Sequence, residues 1–251
     1  MDYERLIRKE NIFVNRKIIN IQKKENFDNS EKFAEDPEIL NNILRMKLSV
    51  ILRFKIKQRY ISRDRNNIDY RKYSNDCWLI NEFKKLNDES ASPSEYLNKL
   101  KNVKNNNLGD QEIVNYMTAI DYKDALAKVI LDCVELNTER AEGKSTLLTE
   151  SNIELEHIYP RRYNKNNKLY MCLPDNLWFL GNLSLLERKI NEKISNDDFD
   201  IKNEHYCKSK MIMTRQICCP DAQWNRDSID KWTDEKIKCR GKILAEEFVK
   251  F

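Results

Sequence analysis

Ile153-Glu154-Leu155-Glu156-His157-Ile158 alternates apolar and polar residues at period two and stops at Pro160. This is the pattern of a short strand, in a chain whose apolar residues otherwise recur every three or four positions. Some twenty residues later, Leu180-Gly181-Asn182-Leu183-Ser184-Leu185-Leu186 reads as a turn followed by a second strand. Glu187-Arg188-Lys189-Ile190-Asn191-Glu192-Lys193-Ile194 then reads as a polar helix. The order strand, loop, strand, helix sets the C-terminal part of the fold.

Upstream of this stretch the pattern is helical. Asp36-Pro37-Glu38 has the marks of a helix start: a capping Asp, a Pro in the first turn and an acid at the positive end of the macrodipole. A helix is expected over 38–61, although Leu52, Phe54 and Ile56 also alternate with Arg53, Lys55 and Lys57 as a strand would. Further helices are expected around Trp78–Leu86, from Ser92-Pro93 onward, and over 110–140 with a break near Asp121. Residues 1–36 read as a helix or an arm that packs only in context. The resulting division is a helical region over 1–140, for substrate positioning or partner binding, and a second domain over 141–251.

The composition agrees with a mainly α protein. Among 251 residues there are four Gly and five Pro, too few for the tight turns of a loop-built all-β fold. Charged residues make up 34% and the formal net charge is +4, which excludes membrane and fibrous classes. No apolar run approaches the roughly 18 residues of a membrane span. The N-terminal MDYERLIRKE is not a signal peptide, and seven irregularly spaced Cys without a CxxC pair suggest reduced thiols. A cytoplasmic protein is expected. Cys218-Cys219 reads as a pair of ordinary thiols.

Hydrolysis of a phosphodiester needs an activated water, a divalent cation on the phosphate, and positive charge to hold the strand. Residues 153–196 carry candidates for all three. An unperturbed imidazole changes charge near neutrality, so His157 suits a general base, whereas His205, the second of two histidines, reads as a helix-surface residue. Glu156 and Asn191 offer the oxygen ligands that a hard cation such as Mg²⁺ prefers. Arg161, Arg162, Lys165, Arg188 and Lys193 supply phosphate-binding charge, and Asn182 can pin the intervening loop through backbone hydrogen bonds. Glu156 has an alternative as a salt-bridge partner of Arg161 or Arg162. Trp178 and Phe179 read as core aromatics, with base stacking as the other possibility. The largest basic excess, ten basic against two acidic residues over 45–72, is either a solvated helix face or a DNA contact.

Taken together, Glu156-His157-Ile158-Tyr159-Pro160, Gly181-Asn182-Leu183-Ser184-Leu185-Leu186, and Asn191 with Lys193, Ser195 and Asn196 resemble an HNH motif in its H-N-N form, the ββα-metal or His-Me finger arrangement. The segment is similar to the C-terminal nuclease domain of GmrSD-type, modification-dependent restriction enzymes. The likeness extends through Phe199, Lys202, Tyr206 and Ser209 to Trp232, Ile237, Arg240 and Leu244. The fold implied is an N-terminal helical bundle followed by a ββα-metal HNH module with C-terminal helices. His157 would be the general base and Asn182 the loop brace that orients it. Glu156 and Asn191 would hold one Mg²⁺ or Mn²⁺ per site.

GmrSD-type enzymes also have an NTPase half with a DGQR-like signature, which has no counterpart in this sequence. A separate ATPase or sensor subunit is therefore the expected protein partner. The expected function is metal-dependent cleavage of DNA, by nicking or double-strand breaks, in bacterial defence against phage or foreign DNA. Two alternatives stand beside it: a noncatalytic nucleic-acid-binding or assembly subunit, and an RNA-cleaving toxin.

Overall fold

The computed structural model describes residues 16–17, 20, 37–64, 66–123, 125–143, 152–160, 176–225 and 231–251. The arm expected over 1–36 lies almost entirely outside the described residues. Two compact units emerge: residues 1–116 with Phe251, and residues 117–250. The described chain is mainly helical, and its one sheet is a pair of strands. Among the described residues, no helix is long and apolar enough to cross a membrane.

The first unit is organised by α1 (Pro37–Ile61), followed by a short turn of helix α2 (Tyr70–Tyr73), α3 (Cys77–Glu89) and α4 (Pro93–Asn107). Ser92 caps α4 by accepting from Glu95 N at 3.2 Å, while the Glu95 side chain accepts from Ala91 N, the residue before the cap, at 2.8 Å, a variant of the capping box. The α4 helix lies along α1, and its Tyr96, Leu100 and Val103 close a core with Ile43, Val50, Ile51 and Phe54 of α1 and Leu79 and Phe83 of α3. Residues 52–56 belong to the helix. Their apparent alternation reflects basic side chains that turn inward.

Arg53 is fully buried, donating to the Leu108 carbonyl at 2.9 Å and pairing with Asp110 at 2.7 Å. Its burial lowers the guanidinium pKa, and Asp110 opposes that shift. Lys57 reaches Glu112 at 2.9 Å and the Asn107 carbonyl at 3.1 Å, with its ammonium 4.4 Å from the Tyr73 ring centre. Lys55 pairs with Asp76 at 2.9 Å. These three cations bind the start of α5 (Asp110–Ala119) and the α2–α3 turn to α1. Part of the basic excess of 45–72 is thus internal wiring rather than a solvated face.

In the second unit α6 (Ala125–Ala141) follows the interruption near Asp121. The strands β1 (Ile153–His157) and β2 (Leu183–Glu187) then pair antiparallel, with Glu154 opposite Leu186, Glu156 opposite Ser184 and His157 opposite Leu183. A single 3₁₀ turn, Leu180–Asn182, leads into β2. Immediately after it come α7 (Arg188–Ile194), α8 (Phe199–Tyr206), a turn of helix α9 (Ile212–Arg215) and α10 (Asp234–Val249). By strand alternation Glu154, Glu156 and Leu186 share one face of the sheet. Leu186 packs there with Ile194, Phe199, Tyr206 and Trp232, so α7 and α8 cover that face. Ser195 ends α7 at a φ of 40°, a left-handed reversal that sends the chain back toward α8.

Gly181 and Gly241 mark where the 3₁₀ turn meets α10. A Cβ built on Gly181 would lie 1.8 Å from the Ile237 carbonyl oxygen and 2.7 Å from Gly241 N. Both obstacles are backbone, so a side chain has nowhere to go. Next to Gly241, the buried Arg240 donates to the carbonyls of Gly181 at 2.9 Å and Leu183 at 2.8 Å and to Ser184 Oγ at 3.3 Å. Burial pulls this guanidinium down to about 9, against an opposing pull from Tyr206.

Two outcomes follow from these packings. Gly181→Ala is expected to cost about 3 kcal/mol, which for a chain of this size lowers Tm by roughly 6–12 °C in a thermal melt. Arg53→Met leaves the Leu108 carbonyl without its donor and is expected to cost about 2 kcal/mol in urea unfolding.

Candidate active site around the hairpin

His157 ends β1 and is buried, 7% exposed. Its ring meets Trp178 edge to face, 4.6 Å between centres at 89°. Trp178 is in turn anchored by its carbonyl, which accepts from Tyr122 N at 2.8 Å. Trp178 therefore packs on the imidazole itself.

The backbone on both sides of that ring is tied down. After His157, Ile158 N donates to the Asn182 carbonyl at 2.9 Å and Tyr159 N to Asn182 Oδ1 at 2.8 Å. Asn182 is fully buried, and its Oδ1 also accepts from Trp232 Nε1 at 3.1 Å while its Nδ2 donates to the Leu177 carbonyl at 3.0 Å. One side chain thus joins the exit of β1, the entrance to the 3₁₀ turn and the segment before α10. A buried amide with its oxygen and nitrogen both engaged has a unique orientation.

Lys202 holds the His157 peptide from the other side. Its ammonium, 1% exposed, donates to the His157 carbonyl at 2.8 Å and to Glu156 Oε1 at 2.6 Å. Tyr206, one turn further along α8, donates to the same oxygen at 2.8 Å. The Glu156 carboxylate also accepts from the backbone N–H of His157. Burial raises the Glu156 carboxyl above its usual range, and Lys202 works against that shift.

Asn191 sits in the middle of α7 and donates from Nδ2 to Glu154 Oε2 at 2.9 Å. Arg188, one turn earlier on the same face, donates from Nε to Glu154 Oε1 at 2.7 Å. These bonds, Asn191 first, hold the Glu154 carboxyl below its usual range, so it is ionised at neutral pH. Asn191 is thus brought to Glu154 rather than to Glu156, the carboxylate expected beside it. The reason lies in α8: with Lys202 and Tyr206 on one of its faces, Glu156 is drawn toward α8, and Glu154, two residues earlier, meets α7.

An oxygen-rich pair of carboxylate and amide at the surface is chemically suited to a hard divalent cation, which keeps several waters and needs few protein ligands. Among the described residues no three His, Cys, Asp or Glu side chains form a cluster able to hold a metal. Arg188 and Lys193 are exposed on α7, with Arg188 committed in part to Glu154. Arg161, Arg162 and Lys165 lie outside the described residues. Glu154, Lys202, Tyr206 and Arg240 received no role from the sequence. Glu154 was visible as a second acid on the face of Glu156, but nothing local distinguishes the two. Lys202 and Tyr206 at i and i+4 are a detectable pair, yet their target lies 46 and 50 residues away.

No curated protein matches the chain. The family model for the C-terminal domain of GmrSD restriction endonucleases matches residues 47–247, which takes in β1, β2, α7, α8 and nearly all of α10. A hairpin with one immobilised histidine, followed at once by a helix that brings an amide to a strand carboxylate, thus lies within a restriction-nuclease domain, and the chain belongs to the GmrSD restriction endonuclease C-terminal domain family.

Proposed function

We propose that the chain is an HNH-type, Mg²⁺- or Mn²⁺-dependent DNA endonuclease that hydrolyses phosphodiester bonds in defence against phage or foreign DNA. The observation that carries this reading is the fixation of His157: its carbonyl is held by Lys202, the two residues after it by Asn182, and its ring by Trp178. A general base contributes to rate only when held within hydrogen-bond reach of the proton it removes, and this strand end is built for such rigidity.

In the proposed reaction the His157 imidazole accepts a proton from the attacking water and is thereby poised to return it. Asn182 touches no reacting atom; it fixes the loop and the peptide that follows the base. Arg188 and Lys193 on α7, with Arg161, Arg162 and Lys165, which follow β1 in sequence, supply the positive charge that binds the phosphates of the strand. Asn191 and a carboxylate of β1 would hold one divalent cation, which would supply charge neutralisation at the phosphate. One such site cuts one strand at a time, so a nicked intermediate precedes linear product. The proposed protein partner is an ATPase or sensor subunit.

The test is a supercoiled-plasmid assay with Mg²⁺ or Mn²⁺. The parent should produce nicked circles before linear DNA, and EDTA should abolish both. His157→Ala should lower the rate by about 10²- to 10⁴-fold with little change in Tm. A His157→Ala protein that nicks as fast as the parent overturns the mechanism. Equal cleavage of single-stranded RNA and DNA under the same conditions would overturn the choice of substrate.

A further inference from the structure

The two acids of β1 have different surroundings, and the difference assigns them different work. Glu156 is 5% exposed, and its carboxylate receives Lys202, Tyr206 and the His157 N–H. Turning it toward a cation would strand the Lys202 ammonium, which is itself 1% exposed, without its carboxylate. Glu154 has a partly exposed side chain, and its partners are an amide and a surface guanidinium that water and phosphate can replace. Arg188 at Glu154 also occupies the position of a positive charge beside a carboxylate and an amide, which is the place a divalent cation would take.

On the basis of the nuclease reading above, we infer that Glu154, with Asn191, is the carboxylate of the cation site. Glu156 is instead a positioning residue that, with Lys202, clamps the N–H and the C=O of His157. The carboxylate adjacent to the base in sequence is thereby internal wiring, and the carboxylate three residues before it faces the ion. Because Glu154 lies on α7's side, its cation also releases Arg188, which becomes available to a phosphate.

The experiment is Mn²⁺ titration of the full-length chain, followed by electron paramagnetic resonance and calorimetry, with thermal melts on the same samples. Glu154→Gln should weaken Mn²⁺ binding by about tenfold or more at unchanged Tm. Glu156→Leu combined with Lys202→Met removes both members of the buried pair and should hold Mn²⁺ within about threefold of the parent. If that double variant does not fold, Glu154→Gln decides alone. For the clamp, Lys202→Met should lower kcat for plasmid nicking while leaving KM and Mn²⁺ affinity near parental values, and Lys202→Arg should restore part of the loss.

Parental Mn²⁺ affinity in Glu154→Gln overturns the assignment, as does loss of binding in a folded Glu156 variant; in both cases parental nicking leaves the nuclease reading intact. A parent that neither binds Mn²⁺ nor nicks DNA overturns that reading and this assignment with it.

Discussion

The Lys202 ammonium is buried between two acceptors of different kinds, the Glu156 carboxylate and the His157 carbonyl. Removing such a charge from water is expensive, and the expense is recovered only if the geometry is good and every donor finds an acceptor. Here the carboxylate is further satisfied by Tyr206, and the ion pair spans 46 residues to bind α8 to β1. The register of β1 on β2, the position of α8 and the orientation of the His157 peptide are therefore fixed by one arrangement. A helix shifted by a single turn would separate Lys202 from Glu156 and leave two buried charges apart.

A second anchor acts through shape rather than charge. The 3₁₀ turn at Leu180–Asn182 lies so close to α10 that Gly181 and Gly241 face one another without side chains, and Arg240 ties the same turn by its carbonyls. Asn182 is the last residue of that turn, so its hydrogen bonds to Tyr159 N and the Leu177 carbonyl inherit the rigidity of α10. Ile158 and Tyr159 just after β1 and the start of β2 are consequently held at the same place from two directions, with Trp232 closing the third.

Elements set by local chemistry were legible in the sequence. Pro37 opens a helix to Ile61, Ser92-Pro93 opens another with its cap in place, the interruption near Asp121 falls between α5 and α6, period-two alternation finds β1, and the turn at Gly181-Asn182 with the run after it finds β2. What escaped depends on partners distant in the chain. Arg53, Lys57 and Arg240 look like surface residues until the carbonyls and acids they satisfy are known, 55 to 59 positions away. In the candidate site, His157, Asn182 and Asn191 stood out by residue type and spacing. The choice between Glu154 and Glu156 did not, because alternation places both on one face and only α7 and α8 tell them apart.

The proposed choice of Glu154 over Glu156 follows from a general constraint on any histidine that is to act as a base from the end of a short hairpin. Two strands of five residues supply little packing of their own, and a two-stranded ribbon is marginal without a helix against it. Immobilising a histidine there requires tertiary bonds to its peptide groups, and the nearest side chain able to bridge N–H and C=O through a partner is the residue beside it. A carboxylate used in that way has its oxygens occupied and its charge neutralised by a buried lysine. An ion site that must load and release a cation then needs another acid, closer to water and partnered by groups that exchange readily. Two residues earlier on the same strand face is the nearest such position, and there Glu154 meets Asn191 and Arg188.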